Sequence, residues 1–311
     1  MKIGRYTGSD GSTRLGVIQD SPKGLMVLDL LAAAAAQHGN AAYRTMEELI
    51  DAGARGLEAT YRTIEWAHAN GEDAWLQAES ATRWLIPLEV RNCVATGRNF
   101  AKHVAEARGY WEKQGVPQAK RDIPTGFIKL TSALVPTRTP VARPADVELF
   151  DYEVEACAVI SRSILNIKES EALGAVWGYT VFNDLSAREW QRREMANQLL
   201  VLGKNFPAFG PLGPWILTAD EVPDPAKLEL RTTVNGEQRQ HSTCESLIFN
   251  WPEMIAHWSR LGLTRGDLVS SGTPEGVATG RKEGETPWWL KPGDVVRVTV
   301  DQIGTLETPI V

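Results

Sequence analysis

Asp151-Tyr152-Glu153-Val154-Glu155 runs directly into Ala156-Cys157-Ala158-Val159-Ile160, and this stretch restricts the fold more than any other. Small and branched apolar residues, bounded by acids before and Ser161 after, read as a β-strand. Strand side chains alternate between two faces. Glu153 and Glu155 therefore share a face with Cys157 and Val159, with Asp151 ahead of them. Tyr152, Val154, Ala156, Ala158 and Ile160 make the other face. Taken alone, the segment is readable as an amphipathic strand with its acids in water. Yet the acidic face turns apolar at Cys157, which sets the carboxylates at the edge of something buried. Buried carboxylates cluster only where a cation neutralises them. Two glutamates at i, i+2 on a rigid strand are half of a divalent-metal site, and the rest of the chain must supply the other half.

Beyond residue 88 the chain is a series of short apolar segments punctuated by Pro and Gly. Residues 92–95, 126–130, 153–160, 178–182, 214–217, 228–234, 268–271 and 295–300 are strand candidates, with helical stretches at 169–175, 187–200 and 251–261. Little regular strand–helix alternation is present, so the pattern predicts an α+β fold, mixed and β-rich, over 89–311 rather than a doubly wound sheet. Residues 1–88 differ. Strand candidates at 3–7, 15–19 and 25–28 are joined by Gly/Ser/Asp turns. Ala- and Glu-rich segments of helical composition follow at 29–37, 45–52 and 54–69. This part reads as a small α/β N-terminal cap or dimerisation domain.

Composition excludes several classes. With 311 residues, 43% apolar and 23% charged, the chain has ample core for one large or two modest domains. A net charge of -6 and the lack of a Lys/Arg block argue against a nucleic-acid surface. The three cysteines, Cys93, Cys157 and Cys244, lie far apart, with neither zinc spacing nor a disulfide framework. The opening residues lack a signal-peptide core and no run reaches membrane-spanning length, so the expected location is the cytoplasm, with no membrane partner. Most of the eleven tryptophans are expected to pack in the core.

Four further segments carry chemistry-bearing residues. His103 and Glu106, at i, i+3, would be neighbours on one helix face, and a carboxylate bonded to an imidazole orients a general base. Lys129 stands in a strand fragment, where an outward-facing side chain is equally readable. Asp184 ends a strand, Ser186 with Glu189 has the spacing of a capping box opening a helix, and Arg188 and Gln191 follow at i, i+3. Lys204 lies in Gly203-Lys204-Asn205-Phe206-Pro207, and Thr273 in the turn Ser271-Gly272-Thr273-Pro274. Residues 109–123 suit a mobile lid or a long surface loop. Glu153, Glu155 and Asp184 have no His or Cys companion. Oxygen-only ligation selects a hard cation, Mg²⁺ first, then Mn²⁺ or Ca²⁺.

The ordered motifs Gly97-x-Asn99-Phe100-x-x-His103-x-x-Glu106, Phe127-x-Lys129, Asp151-Tyr152-Glu153-x-Glu155, Asn183-Asp184-x-Ser186-Ala187-Arg188-x-x-Gln191, Lys204 and Gly272-Thr273-Pro274-x-Gly276-Val277 resemble the fumarylacetoacetate hydrolase family. The resemblance runs from about residue 90 to the end. It implies a mixed β-sandwich roll for the catalytic domain and a homodimer. It also implies Mg²⁺ or Mn²⁺ held by Glu153, Glu155 and Asp184, and a catalytic His103–Glu106 pair. Lys204 would be the catalytic cation, with Lys129, Arg188, Gln191 and Thr273 contacting substrate. Phe100 departs from the family's usual tyrosine, and the stretch from Glu106 to Phe127 is longer than in compact relatives.

The reaction these implications suggest is C–C bond hydrolysis of a 2,4-dioxo acid, of acylpyruvate type, through an enolate stabilised by the metal. It would belong to the catabolism of aromatic or sugar acids. The alternatives are a 2-oxo acid decarboxylase or 2-hydroxy-dienoate isomerase built on the same residues, and a catalytically silent binding or scaffold protein.

Overall fold

The computed structural model describes residues 1–22, 24–38, 43–113, 122–282 and 284–311. Three antiparallel strands open the chain: β1 (Lys2–Thr7), β2 (Thr13–Ser21) and β3 (Gly24–Asp29). Helices α1 (Leu30–His38) and α2 (Met46–Ala69) follow. Thr45 caps α2 by accepting a hydrogen bond from Glu48 N at 3.1 Å. Gly53, at φ 55° and ψ −134°, interrupts α2 between the two helical segments read from composition. Glycine alone takes that conformation without steric cost. β4 (Leu76–Ala78) completes this part.

The remaining strands are β5 (Cys93–Thr96), β6 (Gly126–Lys129), β7 (Leu134–Val135), β8 (Phe150–Asp151), β9 (Val154–Ile160), β10 (Val176–Asn183), β11 (Ser186–Ala187), β12 (Gly210–Thr218), β13 (Glu229–Val234), β14 (Glu237–Thr243), β15 (Leu268–Ser270), β16 (Val295–Val300) and β17 (Gly304–Pro309). Helices α3 (Ala101–Lys113), α4 (Glu169–Ala172), α5 (Arg188–Ala196) and α6 (Trp251–Trp258) lie between them. The large sheet runs β4-β3-β2-β1-β12-β10-β9-β15-β5-β6, with β7 added beside β12. It is mixed: β15–β5 and β12–β7 are parallel. A second, antiparallel sheet runs β14-β13-β16-β17, and β8 pairs with β11. β1 pairs with β12 through Lys2↔Leu217 and Ile3↔Ile216, so the large sheet is continuous between residues 1–88 and the rest.

Every residue of β9 is buried, and its two faces belong to two different cores. Val154, Ala156, Ala158 and Ile160 pack in one cluster with Val296, Val298, Val300 and Leu306 of the second sheet. Cys157 and Val159 pack in the other, with Ile3, Leu15, Leu49 and Ile50 from the N-terminal part. Beyond Glu155, the face that carries the glutamates thus packs in a core shared with residues 1–88. The expected capping box is absent. Ser186 pairs with Asp151 across β8–β11 and donates its hydroxyl to Asp184 O at 3.0 Å. Glu189 Oε1 instead accepts the backbone N–H groups of Glu148 and Leu149 at 2.7 and 2.6 Å. Strand pairing with β8 holds Ser186, and the backbone just before β8 holds Glu189, so neither is left to cap α5. Among the described residues no helix is long and apolar enough to cross a membrane.

Candidate metal centre and its cavity

β9 and β10 are antiparallel neighbours with Phe182 opposite Glu155 and Asn183 opposite Val154, so Asp184 emerges beside the two glutamates. Asp184 N donates to Glu153 O at 2.9 Å, and Glu153 N donates to Asn183 Oδ1 at 3.2 Å. These two bonds, with the β9–β10 register, hold the three residues beside one another. Glu153, Glu155 and Asp184 are 5%, 2% and 1% exposed, and one oxygen from each lies within 4.8 Å of the others.

Three buried cations surround them. Lys204 Nζ bridges Glu153 Oε2 and Asp184 Oδ2, both at 2.6 Å. Arg188 donates to Glu153 Oε1 at 2.6 Å and to Asp151 Oδ2 at 2.8 Å. Lys129 Nζ donates to Asp184 Oδ1 at 2.7 Å and to Lys204 O. Burial opposes ionisation of Glu153, but Lys204 and Arg188 outweigh it and hold the carboxyl well below its usual range. Burial likewise works against the Lys204 ammonium, yet Asp184 and Glu153 push its pKa upward. Burial lowers that of Lys129 despite Asp184.

Glu155 is the exception. Its Oε2 is buried with no hydrogen-bond partner. Burial, then the charges of Asp184 and Glu153, raise its pKa well above the ordinary carboxylate value. With Asp151 included, four carboxylates meet three cations among the described residues. An orphaned carboxylate oxygen beside two others is a donor set that a hard dication satisfies, since Mg²⁺ and Mn²⁺ take oxygen ligands. The residues fit such an ion.

A cavity of about 750 Å³ opens over the cluster, lined among others by Glu153, Glu155, Asp184, Arg188, Gln191 and Lys204. His103 and Thr273 line it too. His103, on α3, is buried. Its Nδ1 stands 3.9 Å from Glu106 Oε2, an ion-pair distance longer than a hydrogen bond. Glu106 accepts instead from Gly276 N, at 3.2 and 3.0 Å to its two oxygens. It therefore ties α3 to the turn that carries Thr273. A Cβ on Gly280 would collide with the Glu106 carboxylate, so this approach requires glycine there. Gln191 Oε1 accepts from Arg188 Nη1 at 2.7 Å.

Lys129 stands apart from the expected substrate contacts. It is wholly buried behind Asp184 and does not line the cavity, so its contacts are those of a counter-ion. Residues 114–121, the centre of the expected lid, lie outside the described residues. Trp190 bonds Asp146 and packs on Phe206, while Trp288 lies between the guanidinium groups of Arg239 and Arg281.

Two residues hold positions in the site that the sequence reading did not assign to them. Asp151 receives Ala278 N and Thr279 N at 2.7 and 3.0 Å besides Arg188, so it fixes the guanidinium from behind. Gln240, fully buried on β14, donates to Thr273 Oγ1 at 2.8 Å and Pro274 O at 2.9 Å. Its carbonyl accepts from Val154 N at 3.1 Å, between Glu153 and Glu155 in the chain. Asp151 was visible as a neighbour of the glutamates; Gln240 gave no local signal.

Residues 92–311 match the fumarylacetoacetate (FAA) hydrolase C-terminal family. The chain belongs to the fumarylacetoacetate hydrolase family. Relatives in this family differ in reaction. A mitochondrial oxaloacetate tautomerase of Xenopus laevis is 34% identical over 268 residues, covering 86% of this chain and 78% of that protein. The solved 2-hydroxyhepta-2,4-diene-1,7-dioate isomerase of Mycobacterium marinum superposes with a TM-score of 0.70 at 26% identity, over 100% of this chain and 98% of its own. A maleylpyruvate hydrolase from Sphingobium sp. SYK-6, solved with manganese(II) and pyruvate, gives a TM-score of 0.71 at 27% identity, over 100% and 99%. The fumarylacetoacetate hydrolase fold thus carries hydrolase, isomerase and tautomerase chemistry.

Proposed function

We propose that the protein is a divalent-metal-dependent hydrolase that cleaves a C–C bond in a 2,4-dioxo acid. The observation that carries this reading is Glu155, its Oε2 buried without a hydrogen-bond partner, beside Glu153 and Asp184 and on the same cavity wall as His103 and Lys204. A dication held by those three carboxylates would polarise the oxygens of an oxo acid as a Lewis acid.

The chain's own side chains account for the remaining steps. Thr273 Oγ1 already accepts from Gln240, so its proton is available to a substrate oxygen. His103 would take a proton from water as that water attacks the distal carbonyl carbon. Lys204 would stabilise the oxyanion formed there, with the Arg188–Gln191 pair beside it. The C–C bond then breaks, its electron pair passes to the oxo-acid fragment, and the proton held by His103 is returned to that carbon. The products are a carboxylic acid and a 2-oxo acid.

A second reading draws on the tautomerase relative. Tautomerisation, decarboxylation or isomerisation of an oxo acid needs the same polarisation and proton transfer but no attacking water. The deciding experiment supplies Mg²⁺ or Mn²⁺ with an acylpyruvate, and separately with oxaloacetate, and follows pyruvate, CO₂ and the enol absorbance. Pyruvate released with the matching carboxylic acid supports the hydrolase. Enol loss from oxaloacetate without acylpyruvate cleavage replaces it with the second reading. Metal binding without any turnover leaves a binding protein.

A further inference from the structure

Part of the cavity wall is not used by the chemistry above. Phe127, Ile128 and Leu130, in and just after β6, line it together with Met195 of α5 and Leu199 and Val201 of the following turn. Ile128, Leu130, Leu199 and Val201 are 46, 45, 66 and 54% exposed. Large apolar side chains left uncovered around a cavity mark a binding surface.

This wall is built. Asn205 Oδ1 accepts from Leu130 N at 2.7 Å, while its Nδ2 donates to Ile128 O at 3.3 Å and Val201 O at 2.8 Å. One amide thereby fastens β6 to the turn after α5, elements some seventy-five residues apart. Glu194 accepts Leu202 N and Gly203 N at 2.6 and 2.9 Å and fixes that turn from its other side. Lys204, next in sequence, reaches Glu153 and Asp184, so the apolar wall is continuous with the carboxylate cluster.

Size and charge both say what fits. A cavity of about 750 Å³ falls in the range that encloses a drug-sized ligand, so a pyruvate-sized head fills only part of it. Arg188 and Lys204 are engaged with acids, and a carboxylate placed against the six apolar side chains would be desolvated there. Arg98 also lines the cavity, and its substitution is part of the test below. We propose that this wall is an acyl-tail subsite, and that the acid taken by this protein carries an extended hydrocarbon substituent on its distal carbonyl rather than a second carboxylate. The proposal rests on the reading that the carboxylate cluster and its metal hold the oxo-acid head.

Isothermal titration calorimetry of the full chain loaded with Mg²⁺ tests it, using pyruvate, 2-oxohexanoate, 2-oxooctanoate and 2-oxoadipate. A buried methylene tightens binding by about fourfold, so 2-oxohexanoate should bind about tenfold or more tighter than pyruvate, and 2-oxooctanoate tighter again. 2-Oxoadipate, with a carboxylate where 2-oxohexanoate has its methyl, should bind about tenfold weaker than that ligand. Leu199→Asn and Val201→Asn should each shrink the ratio between 2-oxooctanoate and pyruvate. A flat series overturns the subsite, as does 2-oxoadipate binding best with the advantage lost in Arg98→Gln, the remaining lining cation among the described residues. In those cases pyruvate still binds and the reading of the head stands. Failure of pyruvate itself to bind the loaded protein overturns both.

Discussion

Glu155, whose Oε2 is buried without a hydrogen-bond partner, should govern how the metal-free protein responds to pH. Its folded-state pKa is raised by burial first, then by Asp184 and Glu153. The native state therefore keeps a proton that the unfolded chain releases above about pH 4.3. Its stabilising contribution is full below that value and is lost as pH rises toward the folded pKa. Metal-free wild type should lose Tm relative to Glu155→Gln as pH rises, and the variant should no longer take up Mg²⁺ or Mn²⁺ in calorimetry. Parallel Tm profiles would remove the charge argument. His103→Ala should keep the metal and lose about 10²–10⁴-fold in kcat; near-normal turnover would put the base elsewhere. The three carboxylates were legible because strand alternation and a strand end are local signals. Lys129 was not, because whether a strand lysine points to a ligand or beneath one depends on the sheet that covers it.

Elements were read well where their signals are periodic and poorly where a distant partner decides. Gly53 interrupts α2 between the two segments marked by composition. Ser186 and Glu189, by contrast, have capping-box spacing but are taken up by β8 and by the backbone at 148–149. Gln240 shows the same limit more sharply, since it meets Thr273 and Val154 only through the register of β13 with β14 and the packing of the two sheets. Gln240→Leu strands Val154 N and frees Thr273. It should cost about 1–3 kcal/mol in urea unfolding and raise KM more than it lowers kcat, because Thr273 holds substrate in ground and transition states alike. A fall in kcat at unchanged KM would give Thr273 another role.

At the scale of the molecule, the N-terminal part shares both a sheet and a core with the candidate site. Ile216 of β12 is fully buried and faces Ile3 of β1. Ile216→Ala should cost about 2–5 kcal/mol and move one cooperative unfolding transition. A separate early transition confined to residues 1–88 would show the seam to be weak. The strands and helices of this part were legible from composition, but their share in the core around Cys157 and Val159 was not, because the contacts join residues more than a hundred positions apart. β9 is clamped like a blade in a vice, one jaw from each core. On the proposed reading, the spacing of the carboxylates at its end would be set by this scaffold rather than by the substrate when a cation binds. Remote changes in the N-terminal jaw would then act as a dial on metal affinity, turned without touching anything that lines the cavity.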